Sequence, residues 1–249
     1  MTSNATTAFD QLRATWETLG DDDPCWAILS WRGKRGKWDK DEFFETGRVE
    51  IAELVTRLKG FGFMPSEGPV LDFGCGIGRL VLAFAQHFDT VHGVDIAGSM
   101  VERARRLNPF GKRVAYHINQ KIDLSLFPDA TFRLVHSHLV LQHIPPDCSK
   151  AYIAEFCRVL KPGGVVAFQI PSHHAVTLKT VTERVLPRSA TALLKRTKNR
   201  QEASMDMYGI PQNEVQAILN RGSLKILEID APAEPINSWY NRWYFAQKA

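Results

Sequence analysis

The sequence has few cysteines and no long hydrophobic run. Its four cysteines, Cys25, Cys75, Cys148 and Cys157, stand far apart and form no C-x-x-C pair. This spacing argues against both a zinc site and a disulfide framework. No apolar segment reaches the roughly 18 residues that a membrane span needs, so no stable membrane insertion is expected. The first residues contain neither a basic stretch nor an apolar core, so no secretory signal is predicted and the cytoplasm is the expected location.

Excess charge of one sign is also lacking. The formal net charge is only +4, which is too small by itself to predict nucleic-acid binding. No continuous basic stripe with interleaved aromatic residues is present, so no nucleic-acid partner is expected. What the chain does have is size and apolar content. With 249 residues, 44% of them hydrophobic, it can bury one α/β core.

Residues 70–79, with the sequence VLDFGCGIGR, contain the most informative pattern. The apolar run at its start predicts a short buried parallel strand. Gly74, Gly76 and Gly78 then remove every Cβ from one side of a turn, so backbone N–H groups can approach a ligand closely. A helix is predicted from Arg79 onward, with its positive N-terminal end facing the same place.

A second strand ends in a carboxylate at Asp95 (VHGVD, residues 91–95). Asp95 follows Gly76 by 19 residues, close to the roughly 20 residues at which an acid that binds ribose hydroxyls is expected. The turn and this acid together predict a nucleoside-binding site.

Four motifs occur in a familiar order: DFGCGIGR (72–79), VDIAGSM (94–100), DLSLFPDATFRLVHSHLVLQHI (123–144) and AEFCRVLKPGG (154–164). In these motifs the chain resembles the class I S-adenosylmethionine-dependent methyltransferases, in particular the small bacterial type-11-like group, over residues 43–249. The resemblance implies a Rossmann-like three-layer α/β sandwich with a mostly parallel seven-stranded sheet. It also implies S-adenosyl-L-methionine as cofactor and transfer of a methyl group to a small molecule, by O- or N-methylation.

The glycine spacing favours this methyl donor over a dinucleotide. A dinucleotide turn spaces its glycines G-x-G-x-x-G, whereas here the third glycine comes one residue early and Arg79 follows it. Asp72 inside the motif would repel a pyrophosphate and can help to hold an ammonium group. Two alternatives stay open, an NAD-dependent oxidoreductase and a non-catalytic protein that binds S-adenosylmethionine.

Further cofactor contacts follow from the resemblance. Ile96 is expected against the adenine face, and Met100 can reach the adenine as well. The turn after the third strand should contact the adenine amino group, with Gln120 as first choice and Asn119 as second. Ser137 and His138 should lie beside the methionine part. The predicted cofactor residues are Asp72, Gly74, Cys75, Gly76, Gly78, Asp95, Ile96, Met100, Asn119, Gln120, Ser137 and His138.

The acceptor site is less clearly indicated. His143 and His138 follow the fourth strand, and an imidazole there can act as a base toward a hydroxyl or can merely hold the loop. Residues 1–40 hold four of the six tryptophans and are predicted to form an aromatic cap over the domain at 41–249. That cap is either a packing flap or part of the acceptor pocket. The candidate substrate residues are Trp31, Trp38, His173 and Tyr208.

Two features near the end of the chain leave alternatives open. His173 and His174 are adjacent but have no carboxylate partner at ligand spacing, so no metal site is predicted. An insertion at about 175–207 is rich in lysine and arginine. It is either a solvated helical face or a basic wall that selects an anionic acceptor, an acidic carrier or a membrane surface. The sequence predicts no oligomeric state.

Overall fold

The computed structural model of the chain describes residues 3–65, 68–174, 205–230, 235 and 238–249, with the side chains of residues 3–7 excepted. The predicted basic insertion at about 175–207 therefore lies almost wholly outside the described residues. The described α-helices are α1 (Ser3–Asp22), α2 (Pro24–Ile28), α3 (Lys40–Gly60), α4 (Arg79–Phe84), α5 (Gly98–Leu107), α6 (Pro146–Val159) and α7 (Gln212–Arg221), with 3₁₀ turns at Gly111–Arg113 and Leu141–His143.

The described strands form one seven-stranded sheet. They are β1 (Val70–Phe73), β2 (Val91–Asp95), β3 (Val114–Ile118), β4 (Phe132–Ser137), β5 (Leu160–His174), β6 (Leu224–Asp230) and β7 (Trp239–Lys248). Their order is β3-β2-β1-β4-β5-β7-β6. The first five strands are parallel, and β7 runs antiparallel to both of its neighbours. The predicted Rossmann-like, mostly parallel sheet is confirmed.

The strand order reverses at β1. The chain runs outward from β1 through β2 to β3 and then returns to place β4 on the other side of β1. In an open α/β sheet, ligands bind in the crevice outside the carboxyl ends of the strands at such a reversal. The turn that follows Phe73 and the segment that follows Ser137 both lie at this edge.

The sheet is covered on both faces, as the continuous apolar strands predict. Val70 and Leu134 belong to a core shared with α3, α4 and α5. Leu71 and Val135, the next residues along the same strands, belong to a core on the opposite face shared with α6 and α7. All four side chains are fully buried. This alternation is the period of two that a pleated strand imposes.

Two local features shape the ends of these elements. Asp39 caps α3 by accepting a hydrogen bond from Glu42 N at 2.9 Å. Residues 161–164 lie within β5 as a bulge, because β4 advances two residues from Phe132 to Leu134 while β5 advances from Leu160 to Val165.

The N-terminal helices pack against the main domain at the ligand-binding edge. The Glu17 carboxylate accepts hydrogen bonds from Gly98 N at 2.6 Å and Ser99 N at 2.9 Å, so α1 caps the start of α5. Burial raises the pKa of Glu17, but the bonds from Ser99 and Gly98 outweigh it, so the pKa lies below its usual value. These contacts fix α1 across the crevice. Among the described helices, none is long and apolar enough to cross a membrane.

Candidate functional site

The turn after β1 depends on its glycines for both conformation and space. Gly74 and Gly76 adopt φ angles of 76° and 52°, a region that L side chains rarely adopt. A Cβ on Gly74 would lie 2.3 Å from Val140 Cγ2, and one on Gly76 would lie 2.5 Å from Ile28 Cδ1. The Val140 side chain leaves no room for the first Cβ, and the second would force the end of the Ile28 side chain to move. The turn can therefore bring its backbone against other groups only because both residues are glycine.

Asp95 lies at the end of β2, facing this turn. Its carboxylate accepts hydrogen bonds from Gly76 N at 2.8 Å and Ala97 N at 2.9 Å. Burial raises the pKa of Asp95 to about 6, helped by the charge of Asp72 and opposed by the backbone N–H groups of Ala97, Gly76 and Ile96. A carboxylate held in this way keeps lone pairs available for donors such as ribose hydroxyls.

A single cavity opens above these groups and encloses about 890 Å³ of space, part of it open to solvent. It lies at the carboxyl ends of β1, β2 and β4, as the strand order requires. The predicted cofactor residues that line it are Asp72, Gly74, Cys75, Gly76, Asp95, Ile96, Met100, Asn119 and His138. Other lining residues were not predicted: Phe9, Leu12, Trp16, Ala27, Ile28, Phe73, Arg79, Leu80, Val94, Leu139, Val140, Ile144 and Tyr152.

Three predicted cofactor residues lie elsewhere. Gly78 faces the Tyr116 hydroxyl rather than the cavity. Ser137 is fully buried and donates its hydroxyl to Phe73 O at 3.1 Å. Gln120 is exposed and accepts from Arg13 at 3.3 Å, whereas its neighbour Asn119 lines the cavity. The structure therefore favours Asn119 over Gln120, the first choice from sequence, because the amide of Asn119 folds inward.

The inward orientation of Asn119 has a clear cause. Its side-chain nitrogen donates to Lys121 O at 3.2 Å and to Asp123 O at 2.7 Å, which closes the turn after β3. The side chain is 6% exposed. Asn119 thus shapes the cavity wall.

Charged side chains pair beneath the cavity. Asp72 Oδ1 lies 2.8 Å from His136 Nδ1, and both residues are almost fully buried. In a second group, Glu50 bonds to His138 Nδ1 at 2.5 Å and to Arg79 Nη1 at 2.8 Å. Burial raises the pKa of Glu50, but the charges and hydrogen bonds of its partners, first of all His138, outweigh this and lower the pKa to about 2. Glu50 is therefore ionised across the neutral range.

His143 lies in a neighbouring depression rather than in this cavity. Its Nδ1 lies 3.0 Å from Asp206 O and its Nε2 lies 3.0 Å from Gln142 Nε2, so both ring nitrogens are engaged within the protein. Burial lowers the pKa of His143, against the opposing effect of Asp206. Tyr208 lines the same depression, and its N–H donates to Gln142 O at 2.7 Å. The arrangement gives His143 a role in holding the 205–208 segment.

The remaining substrate candidates do not reach the cavity. Trp31 is half exposed and packs its ring 5.1 Å from that of Trp38. Trp38 in turn donates its indole N–H to Leu29 O and contacts Phe43. These two tryptophans stabilise the loop before α3. The cap nevertheless contributes an aromatic wall through Trp16, which lines both the cavity and the neighbouring depression.

His173 lies far along β5 and is also outside the cavity lining. Its Nδ1 is 2.7 Å from Ser172 Oγ, and its ring stacks on Tyr240 of β7 at 4.8 Å. The strand β5 continues to His174. The longer strand carries His173 past the carboxyl ends of β1 and β4.

The charges of the cavity fit a cationic nucleoside better than a pyrophosphate. The charged lining residues among those described are Asp72, Asp95, Arg79 and the ionisable His138. Glu50 neutralises Arg79 from behind. The wall is left with two carboxylates, which attract the sulfonium and ammonium groups of S-adenosylmethionine and repel phosphate. Asp95 and the glycine turn fit its ribose, and the apolar side chains of Ile96 and Met100 fit its base.

Comparison with known proteins gives the following matches. Residues 70–164 match the family model described as a methyltransferase domain. The chain is 32% identical over 125 residues to 2-methyl-6-phytyl-1,4-hydroquinone methyltransferase of Synechocystis sp. This match covers 49% of this chain and 38% of that protein. It is 29% identical over 197 residues to aklanonic acid methyltransferase of Streptomyces sp., covering 76% of this chain and 75% of that protein. The match thus spans well under half of the first relative.

Among solved structures, the chain is similar to magnesium protoporphyrin IX methyltransferase of Synechocystis with bound S-adenosylhomocysteine. The TM-score is 0.65 over 96% of this chain and 99% of that chain, at 19% sequence identity. At this identity the likeness establishes a shared fold.

Proposed function

The chain belongs to the class I S-adenosylmethionine-dependent methyltransferases, and we propose that it transfers a methyl group from S-adenosylmethionine to an oxygen of a small aromatic acceptor. One observation carries the proposal. The glycine turn after β1 and the carboxylate of Asp95 after β2 meet in one cavity at the reversal of strand order.

We assign the binding of S-adenosylmethionine to that cavity. Asp95 would accept the ribose hydroxyls, and Ile96 and Met100 would pack against the base. Asp72, at the foot of the turn, would lie near the ammonium group. When bound, the cofactor supplies an activated methyl group whose transfer needs little covalent help. The main work of the protein is to hold the acceptor oxygen in line with that methyl carbon at roughly 3 Å.

We assign the binding of the acceptor to the depression beside the cavity. Its wall includes the rings of Trp16, His143 and Tyr208, and it shares Leu12 and Trp16 with the cavity. Aromatic walls favour a planar aromatic acceptor, because rings give large contact area at low entropic cost. The first relative named above acts on a hydroquinone, according to its name. Another relative, from Thiobacillus denitrificans, is named ubiquinone biosynthesis O-methyltransferase, so a phenolic oxygen is the proposed nucleophile.

Calorimetry with S-adenosylhomocysteine and NAD tests the cofactor assignment. We expect S-adenosylhomocysteine to bind the wild-type protein and NAD not to bind. Asp95→Ala should weaken the binding of S-adenosylhomocysteine at least about tenfold, since a charge-assisted hydrogen bond contributes about 1.5–3 kcal/mol. Asp89→Asn, on the exposed loop before β2, is the matched control and should bind as the wild type does. Binding of NAD alone would overturn the proposal.

Transfer is then measured with methyl-labelled S-adenosylmethionine and methylhydroquinone as the probe acceptor. The product should carry the label on oxygen. A label on carbon or nitrogen would contradict the oxygen assignment while leaving the cofactor assignment standing.

A further inference from the structure

A histidine, a carboxylate and an arginine form a continuous chain of contacts that ends at the cavity wall. His138, directly after β4, and Arg79 both line the cavity, and Glu50 bridges them from behind. Glu50 comes from the middle of α3, and Arg79 is the first residue of α4. The three residues are distant in sequence, so they meet only in the folded protein.

The contacts determine which nitrogen of His138 carries the proton. Glu50 is ionised in the neutral range and accepts only. Because its Oε1 lies 2.5 Å from Nδ1 of His138, that nitrogen must donate. The neutral imidazole then carries its lone pair on Nε2. Among the contacts of the described residues, Nε2 of His138 has no hydrogen-bond partner.

The second oxygen of Glu50 is also occupied. It accepts from Arg79 Nη1 at 2.8 Å, and the same nitrogen lies 3.3 Å from the hydroxyl of Thr46. The Arg79 side chain is only 3% exposed and that of Glu50 is 24% exposed, so the guanidinium is shielded from solvent and the carboxylate partly so. On the other side, the ring of His138 packs 4.8 Å from the ring of Trp243. Glu50 and Trp243 together restrict the rotation of the imidazole.

We propose that His138 is the general base of the transfer and that Glu50, held by Arg79, is its positioning residue. The inference rests on the proposed function. The acceptor hydroxyl gives its proton to Nε2 of His138, and its oxygen lone pair forms the new bond to the methyl carbon. The electron pair of the broken carbon–sulfur bond stays on sulfur, which leaves S-adenosylhomocysteine. The imidazolium is stabilised by Glu50 and later releases its proton to solvent.

His143, the other histidine in the motif, is excluded from this role by its contacts. It lines the acceptor depression, but both of its ring nitrogens are already bonded to protein groups, so neither can take a proton from the acceptor without breaking such a bond. His136 is unsuited for a different reason: its ring is fully buried against Asp72. Of these three histidines near the end of β4, only His138 combines a free nitrogen with a place on the cavity wall.

The first test needs no acceptor. In the complex with S-adenosylhomocysteine, ¹⁵N NMR of the histidine rings across a pH series should show that the neutral form of His138 is protonated on Nδ1 and unprotonated on Nε2. Glu50→Gln should change this tautomer population, whereas Glu53→Gln, one turn along the exposed face of α3, should not. A neutral His138 protonated on Nε2 in the wild type would overturn the inference. Failure of S-adenosylhomocysteine to bind at all would instead overturn the proposed function.

The second test measures turnover of methylhydroquinone. His138→Ala should lower kcat by about 100-fold or more, as expected for loss of a general base, and added imidazole should restore part of it. Glu50→Gln should lower kcat at least about tenfold with little change in the KM for S-adenosylmethionine. His87→Ala, at the end of the segment after α4, is the control and should match the wild type. Turnover by His138→Ala within threefold of the wild type would refute the role of this residue.

Discussion

The raised pKa of Asp95 predicts how the stability of the protein responds to pH. The carboxyl has a pKa of about 6 in the folded protein against an ordinary value of 3.8. A pKa raised on folding means that the folded state binds the proton more tightly than the unfolded chain. The folded state therefore loses stability as pH rises through the interval between these two values. The full shift corresponds to about 3 kcal/mol.

The perturbation that isolates this effect is Asp95→Asn. The amide cannot ionise, so the variant lacks this contribution at every pH. The substitution also replaces one acceptor oxygen with an amide nitrogen that faces a backbone N–H group. The free energy lost by this replacement does not depend on pH. The difference in unfolding free energy between variant and wild type should therefore shift by about 2 kcal/mol in favour of the variant between pH 4 and pH 7. Urea unfolding at both pH values measures it.

The affinity for the ligand should change with pH in the opposite direction to the stability of the protein. Ribose hydroxyls donate to the ionised carboxylate, so the affinity of the wild type for S-adenosylhomocysteine should fall as pH drops below about 6, by up to tenfold per pH unit. Asp95→Asn should bind weakly and with no such dependence. A constant stability difference between pH 4 and pH 7 would refute the reasoning about burial. An affinity that is equal at pH 5 and pH 7.5 would refute the assignment of Asp95 to the sugar.

Three further predictions concern packing and backbone conformation. Gly47→Ala should lower the melting temperature, because the new Cβ would lie 2.6 Å from the backbone oxygen of Arg79, whereas Gly60→Ala in the same helix has open space and should raise it slightly. Glu17→Ala should cost about 1 kcal/mol in urea unfolding, because two N–H groups of α5 lose their cap. Leu139→Gly should be more stable than Leu139→Ala by about 1 kcal/mol, the reverse of the usual order, because φ is 61° there.

The cofactor half of the site could be predicted from sequence because its determinants are local. Gly74 and Gly76 follow directly after β1, and Asp95 ends the next strand. Parallel strands bring their carboxyl ends to one edge of the sheet, so strand order alone places these residues together. The order of preference between Gln120 and Asn119 was harder to predict, because the inward turn of Asn119 depends on hydrogen bonds that no periodicity reveals.

The partners of His138 could not be predicted in the same way. Glu50 lies 88 residues earlier in the chain, in the middle of α3, where no motif marks it. Trp16 and Ile28 reach the cavity because α1 and α2 pack across it, and cap residues carry no motif. A buried Arg79 directly after the glycine turn was the available signal, since a buried guanidinium needs an acidic partner. That signal predicts a carboxylate nearby without saying which one.

The backbone at Leu139 explains how the donor and acceptor sides of the cavity come together. In a regular strand successive side chains point to opposite faces, yet His138, Leu139 and Val140 all line the same cavity. The left-handed conformation at Leu139 breaks the alternation immediately after β4. It allows Val140 to pack on Gly74 while His138 stays in contact with Glu50. A non-glycine residue in this conformation costs about 1 kcal/mol or more, and such strain is concentrated at functional sites. The strained conformation of Leu139 thus places the proposed base beside the glycine turn.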